Sequence, residues 1–294
     1  MTRKSFRQAL ASEYPLVTPL AHDALSARLI EEAGFRAFTL GGSALLAARY
    51  AVPDIGLIGL SDMMDGMREL AAATTLPFLA DADDGYGDPK AVARLVHAYE
   101  SIGVGGFLLE DQHRDHKQQR ADKAAAVVDM PVIEAKIRTA LRERGNPETF
   151  VIGRTDAYGA LGLDEALKRA KRYLDVGADG VFVAGLRTVS DYERVGRELS
   201  GAFVSAAMFE VGGTPWLSPR ELGEMGFSQV SFPTSTLFPA VSAMRRALGA
   251  MRRHADGTEP MQTMTDGEET SQALDVALGL ARWRRIEAAA AADT

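Results

Sequence analysis

Eight short apolar runs, rich in β-branched and aromatic residues, recur between residues 16 and 233, most of them followed by a stretch of helical period. They are "LVTPLA" from Leu16, "FRAFTL" from Phe35, "LPFLADA" from Leu76, "VGGFLLE" from Val104, "TFVIGRT" from Thr149, "DGVFVAG" from Asp179, "AFVSAA" from Ala202 and "SQVSFP" from Ser228. The intervening segments carry helix signals. In "DALSARLIEEAG", Asp23 is placed to cap the start and Gly34 to end it; in "LDEALKRAKRYLDVGA", Asp164 and Gly177 take the same roles. A doubly wound sheet would have fewer such units or a visible second domain, so the rhythm predicts an α/β fold, a (β/α)8 TIM-type barrel. The barrel is expected over residues 1–250. Residues 251–294 are expected to form a polar connector, "HADGTEPMQTMTDGEET", and one amphipathic helix.

A chain of 294 residues can bury a sizeable core, and its net charge of -7 argues against a nucleic-acid partner. It has no cysteine, which excludes disulfides, thiolate metal sites and cysteine nucleophiles. No run approaches the ~20 apolar residues of a membrane span, and the start, "MTRKSFRQALASEYP", lacks the apolar core of a signal peptide. The expected location is cytoplasmic.

Barrels of this kind place their sites at the carboxyl ends of the strands. Asp54 ends the segment "LGGSALLAARYAVPD" after the second run, and Asp81 and Asp83 follow the third. Glu110 and Asp111 follow the fourth, Arg154, Thr155 and Asp156 the fifth, Glu210 the seventh, and "PTST", with Thr234, the eighth. Acids gathered at one mouth repel one another unless a cation sits among them, and oxygen ligands suit a hard divalent ion. Mg²⁺ is the expected cofactor, with Mn²⁺ able to replace it. For Asp54, Asp81, Asp83 and Glu110 the metal reading outweighs the plainer one, helix capping; for Asp84 and Asp88 capping is preferred. An EF-hand reading of "DADDG" fails, because its third acid comes one residue early and position twelve would be Val92. "GYGDP" lacks the lysine of a phosphate-binding loop.

The segments "FLADADDGYG", "GGFLLEDQ", "VPDIGL", "VIGRTDA" and "ELGEMGFSQVSFPTSTLFPA", running in order between Pro19 and Leu248, resemble the isocitrate lyase and phosphoenolpyruvate mutase superfamily. The resemblance implies a Mg²⁺-dependent barrel that breaks a bond in a 2-oxo or 2-hydroxy carboxylate and leaves a pyruvate-like enolate. It implies Asp81 and Asp83 as the central metal group, Asp54 and Glu110 holding metal waters, and Arg154 gripping the substrate carboxylate. The turn Gly41, Gly42 and Ser43 would donate hydrogen bonds to that carboxylate. A guanidinium suits a carboxylate independently of any family, although Asp156 or Glu110 offers Arg154 a structural ion pair instead.

Departures from the family bear on the reaction. Its carbon-carbon lyases carry a cysteine acid in the loop after the fourth strand, where this chain has Gln118; the phosphonopyruvate enzymes place an asparagine there. The oxaloacetate decarboxylases share "LGGS" but have a histidine where Thr234 stands. The loop from His113 to Lys123 is either a solvated loop or one that closes on an anionic substrate, with His113, His116 or Lys117 as the acid. The expected activity is carbon-carbon cleavage, by decarboxylation of an oxaloacetate-type acid or retro-aldol cleavage of a methylisocitrate or malate type. The alternatives are carbon-phosphorus chemistry on phosphonopyruvate and a non-catalytic carboxylate-binding protein. The partner is a small anionic carboxylate, and the resemblance implies a homodimer or homotetramer that exchanges C-terminal helices.

Overall fold

The computed structural model describes residues 3–117, 126–211, 213–260 and 265–292. All eight apolar runs are strands: β1 (Leu16–Pro19), β2 (Phe38–Leu40), β3 (Phe78–Asp81), β4 (Gly106–Glu110), β5 (Phe150–Thr155), β6 (Gly180–Val183), β7 (Phe203–Ala207) and β8 (Gln229–Phe232). The helices are α1 (Phe6–Ser12), α2 (Ala24–Glu32), α3 (Gly42–Tyr50), α4 (Leu60–Ala73), α5 (Pro89–Ile102), α6 (Met130–Glu143), α7 (Ala157–Asp175), α8 (Val189–Glu198), α9 (Pro219–Glu224), α10 (Leu237–Ala255), α11 (Gly267–Ala277) and α12 (Leu280–Ala292).

The strands pair in parallel in the order β1-β8-β7-β6-β5-β4-β3-β2. A single parallel bridge, Leu20 to Thr39, and a 2.9 Å contact between the Thr18 and Thr39 hydroxyls bring β1 against β2. The ring is therefore a nearly closed (β/α)8 barrel, which leaves few strand edges exposed.

Side chains on a strand alternate between faces. Phe78, Ala80, Phe107, Leu109 and Val151 point outward into the large core beneath the helices, whereas Leu79, Phe150, Ile152 and Phe182 share the smaller core inside the barrel. Phe6 of α1 joins the inner core and meets Phe150 edge to face, with ring centroids 5.4 Å apart. The same alternation carries Asp81, two residues after Leu79, Glu110, two after Leu108, and Arg154, two after Ile152, toward the barrel axis at the strand ends. Period two thus converts three apolar strands into three inward-facing charged groups.

Local capping follows the sequence at α2, where Asp23 Oδ1 accepts from the Ser26 amide at 2.7 Å and Gly34 adopts φ +87°. Asp164 does not cap its helix: α7 starts upstream at Ala157 and is broken at Gly162 (φ +82°), and Asp164 Oδ1 instead accepts from Arg194 Nη2 at 2.6 Å. Gly177, at φ +103°, does end it.

The chain divides into two compact units, Met1–Thr236 and Leu237–Thr294. In the second, the expected single helix near the end is two helices, α11 and α12, interrupted at Gly279 (φ +69°). Among the described residues no helix is long and apolar enough to cross a membrane.

Candidate active site

The turn "DADDGYG" leaves β3 under strong local constraint. Asp83 adopts φ +44° and Tyr86 φ +59°, left-handed values that non-glycine residues seldom take. Hydrogen bonds hold the conformation. The Asp83 amide donates to Asp81 Oδ1 at 3.1 Å, and the Asp83 carbonyl accepts from the Glu110 amide at 2.8 Å, tying the turn to the end of β4. Gly85, at φ +86°, closes it by donating to the Ala82 carbonyl at 2.9 Å.

Asp81 Oδ2 accepts from the Gly42 amide at 3.2 Å, at the start of α3, where the helix dipole favours negative charge. A methyl group at Gly42 would stand 3.3 Å from Asp81 Oδ2, so the bare backbone is what lets that carboxylate approach. The Gly42 amide, expected to meet a substrate carboxylate, is thus directed at Asp81. Gly41 precedes it as the N-cap of α3, and Ser43 lies in the first turn.

Three carboxylates meet at one point, and Lys117 occupies it. Its Nζ is 3.2 Å from Asp54 Oδ1, 3.4 Å from Glu110 Oε1 and in close contact with Asp83 Oδ1. The lysine side chain is only 8% exposed. Burial alone would lower the affinity of the ammonium for its proton; the attraction of Glu110, Asp83, Asp81 and Asp54 outweighs it and raises the pKa.

Glu110 is 1% exposed, and burial pushes its pKa up to about 8 against the pull of Arg154 and Lys117. Neither of its oxygens has a well-aligned hydrogen bond, although Arg154 Nη1 stands 2.9 Å from Oε2. Burial, with repulsion from Asp81, likewise pushes Asp83 up to about 6.

Arg154 pairs with both residues that offered it a structural role. Its Nε and Nη2 donate to the two oxygens of Asp156 at 2.9 and 2.8 Å, while Nη1 faces Glu110. The guanidinium lies over the Phe182 ring, 5.7 Å from its centroid. Burial opposes its charge, but Asp156 and Glu110 raise its pKa well above the usual value. Of its five N–H groups, one on each terminal nitrogen stays available for a ligand.

Asp111 organises the rear of the site, a role that its position after β4 did not reveal. It is fully buried, and its Oδ2 accepts from Thr155 Oγ1 at 2.8 Å, Arg169 Nη1 at 3.0 Å and Tyr173 OH at 2.7 Å. Its Oδ1 accepts from the Asp156 amide at 2.9 Å. Arg169 also donates to the Val128 carbonyl at 2.9 Å. Arg169 and Tyr173 were not singled out from the sequence; the available signal was two polar side chains at buried positions of α7, in line with Ala166 and Ala170.

The segment after β4 starts from a paired neck. Gln112 bridges Val127 antiparallel, and the His113 amide donates to the Ala126 carbonyl at 2.7 Å. Arg114–His116 form a 3₁₀ turn. Gln118 and the rest of the loop to Lys123 lie outside the described residues. Asp88 caps α5 as expected, accepting from the Lys90 and Ala91 amides at 2.9 and 3.2 Å. Asp84 does not cap: it pairs with Arg114 Nε at 3.2 Å and Lys136 Nζ at 3.4 Å. Thr234 is buried at the end of β8 with no hydrogen-bond partner for its hydroxyl among the described residues, whereas Glu210 is exposed three residues beyond β7.

The family model described as phosphoenolpyruvate phosphomutase matches residues 6–252. The chain belongs to the phosphoenolpyruvate phosphomutase family. It is 38% identical over 252 residues to the probable 2-methylisocitrate lyase 1 of Corynebacterium glutamicum, covering 86% of this chain and 82% of that one. The crystal structure of 2,3-dimethylmalate lyase, a member of the PEP mutase/isocitrate lyase superfamily, superimposes with a TM-score of 0.85 at 33% identity, covering 97% of this chain and 96% of that one. Phosphonopyruvate hydrolase, solved with oxalate and Mg²⁺, superimposes with a TM-score of 0.80 at 25% identity, covering 98% and 99%. Proteins named for different reactions therefore share this barrel, and the chemistry must be argued from the site.

Among the described residues no three His, Asp or Glu side chains close on one point tightly enough to coordinate an ion directly. The donor set still fits a hard cation. Glu110 presents two buried oxygens without aligned partners, and the point shared with Asp54 and Asp83 already holds a positive charge. Mg²⁺ keeps several waters and needs few direct carboxylates, so a looser ring of acids is the arrangement that it uses.

Proposed function

We propose that this protein is a divalent-cation-dependent carbon-carbon lyase acting on a small 2-hydroxy or 2-oxo di- or tricarboxylate, preferentially by retro-aldol cleavage. The observation that carries the reading is the convergence of Asp54, Asp83 and Glu110 on one cation-bearing point, with Arg154 2.9 Å from Glu110 at the same mouth. Support for carbon-carbon cleavage comes from the relatives named as lyases of 2-methylisocitrate and 2,3-dimethylmalate, and support for the ion from the neighbour solved with Mg²⁺.

Asp81 and Asp83 would hold the ion, with Asp54 and Glu110 reaching it through water. Bound there, the ion supplies Lewis-acid neutralisation of substrate oxygens. Arg154 binds a substrate carboxylate through its remaining N–H groups, while Asp156 and Glu110 keep the guanidinium plane fixed, so that orientation is settled before the substrate arrives. In the cleavage, the hydroxyl proton passes to an ionised carboxylate of the mouth, the hydroxyl carbon becomes the carbonyl of a 2-oxo acid, and the bond electrons pass to the departing carbon. That carbon forms an enolate with its own carboxylate and is then protonated. The inward face of the barrel, lined near the site by Phe182 and Ile152, limits water around the developing charge. The working form is taken to be a cytoplasmic homo-oligomer with exchanged C-terminal helices, for which light scattering is the measurement.

The test is proton NMR of the purified protein with Mg²⁺ and a panel of 2-methylisocitrate, 2,3-dimethylmalate, isocitrate, citramalate, oxaloacetate and phosphonopyruvate. The expected result is loss of one hydroxy acid with a 2-oxo acid appearing, abolished by EDTA and by Asp81→Ala. Consumption of oxaloacetate alone would replace retro-aldol cleavage with decarboxylation or hydrolysis. Consumption of phosphonopyruvate alone would move the protein to carbon-phosphorus chemistry.

A further inference from the structure

Lys117 enters the site from the segment that follows β4, just beyond the 3₁₀ turn Arg114–His116, and not from a strand of the barrel. Its backbone is held at a distance by Arg114, whose amino groups donate to the Ile58 carbonyl at 3.1 and 3.2 Å, whose Nε pairs with Asp84, and whose guanidinium covers the Tyr86 ring at 5.3 Å. The Lys117 amide closes the 3₁₀ turn by donating to the Arg114 carbonyl at 3.1 Å. From that anchored turn the side chain reaches in and places its ammonium where Asp54, Asp83 and Glu110 meet. Ionised acids at that spacing are stabilised by a positive charge between them, and the chain supplies one itself.

We infer that Lys117 is an internal stand-in for the divalent cation, which must leave the carboxylate cluster for the ion to enter and so sets the site's affinity for it. This rests on the reading above that a divalent cation binds at these acids. One ammonium and one hydrated divalent ion cannot share a point that lies 3.2 Å from Asp54 and 3.4 Å from Glu110. Ion binding and Lys117 burial are therefore mutually exclusive states, and the observed affinity is the intrinsic one multiplied by the fraction of molecules with Lys117 out. Because Arg114 is anchored to Ile58, Asp84 and Tyr86 rather than to the cluster, the displacement turns about residues 114–117 and leaves the barrel unchanged.

The experiment follows Mn²⁺ binding by the electron paramagnetic resonance signal of the free ion, in wild type, Lys117→Met and Lys117→Arg, with circular dichroism as the fold control. Lys117→Met is expected to bind Mn²⁺ at least about tenfold more tightly than wild type, and Lys117→Arg to stay near wild type. In wild type alone, acetylation of Lys117 by an amine-reactive ester, read by mass spectrometry, should be slow without Mn²⁺ and rise when it is added. Equal Mn²⁺ affinity in wild type and Lys117→Met, with unchanged acetylation, would overturn the inference while leaving the metal reading intact. Absence of Mn²⁺ binding in all three proteins would remove the metal reading and the inference with it.

Discussion

Glu110 and Arg154 are register partners at the ends of neighbouring strands, β4 and β5, and their side chains meet with Nη1 2.9 Å from Oε2. The pairing of two strands therefore decides which acid neutralises which base. A slip of one residue in either strand would turn that strand's member of the pair to the outer face.

Arg154→Ala is expected to destabilise the protein by about 3–5 kcal/mol, because it strips Asp156 of its cation and leaves Glu110 with Lys117 alone. Urea unfolding checks this. Arg154→Lys keeps a charge but not the planar fork, and its kcat/KM on whichever acid the panel identifies should fall on the order of 100-fold.

The ion-free protein should lose stability as pH rises. Glu110 goes from 4.5 to about 8 on folding and Asp83 from 3.8 to about 6, in each case mainly through burial. In those intervals the folded state binds more protons than the unfolded one, so the contribution is complete below the lower value and disappears as pH passes the upper. Unfolding free energies measured in EDTA should therefore decline between about pH 4.5 and pH 8. Saturating Mg²⁺, which favours the ionised carboxylates, should flatten the slope. A stability that rises across this window in EDTA would contradict the burial argument.

Asp111→Ala should be among the most damaging single changes, since it strands Arg169, Tyr173 and Thr155 in the core; the expected loss is about 3–5 kcal/mol. Tyr173→Phe removes one donor of several and should cost about 1 kcal/mol. Thermal melts of the two variants, side by side, test the ranking.

Gly34→Ala and Gly85→Ala separate backbone strain from crowding. Both positions have φ near +86°, but a methyl at Gly34 meets nothing within 4 Å, whereas one at Gly85 would come 2.5 Å from Val92 Cγ2. Gly34→Ala should lose about 1 kcal/mol and Gly85→Ala a further 1–3 kcal/mol, by denaturant titration.

The order of elements was legible because the signals that define them are local. Short apolar runs rich in β-branched and aromatic residues, with acids and glycines at helix ends, were enough to place all eight strands and to identify Asp23 and Asp88 as caps. The charged groups of the mouth were legible because they end or follow the apolar runs; the structure adds that Asp81, Glu110 and Arg154 stand two residues beyond inward apolar side chains, so the alternation that builds the inner core also aims the charges. Asp164 misled because its local pattern is a good cap, while the break in α7 sits at Gly162.

What the sequence by itself determined is thus the barrel, the family and the side chains presented at its mouth. Only the tertiary structure decided how those charges are shared. Lys117 meets Asp54 across 63 positions and Arg169 meets Asp111 across 58, and nothing in either neighbourhood specifies the other. Such pairs exist only once the ring of strands closes and burial strips water from the groups, which is when each charge must find its counterpart.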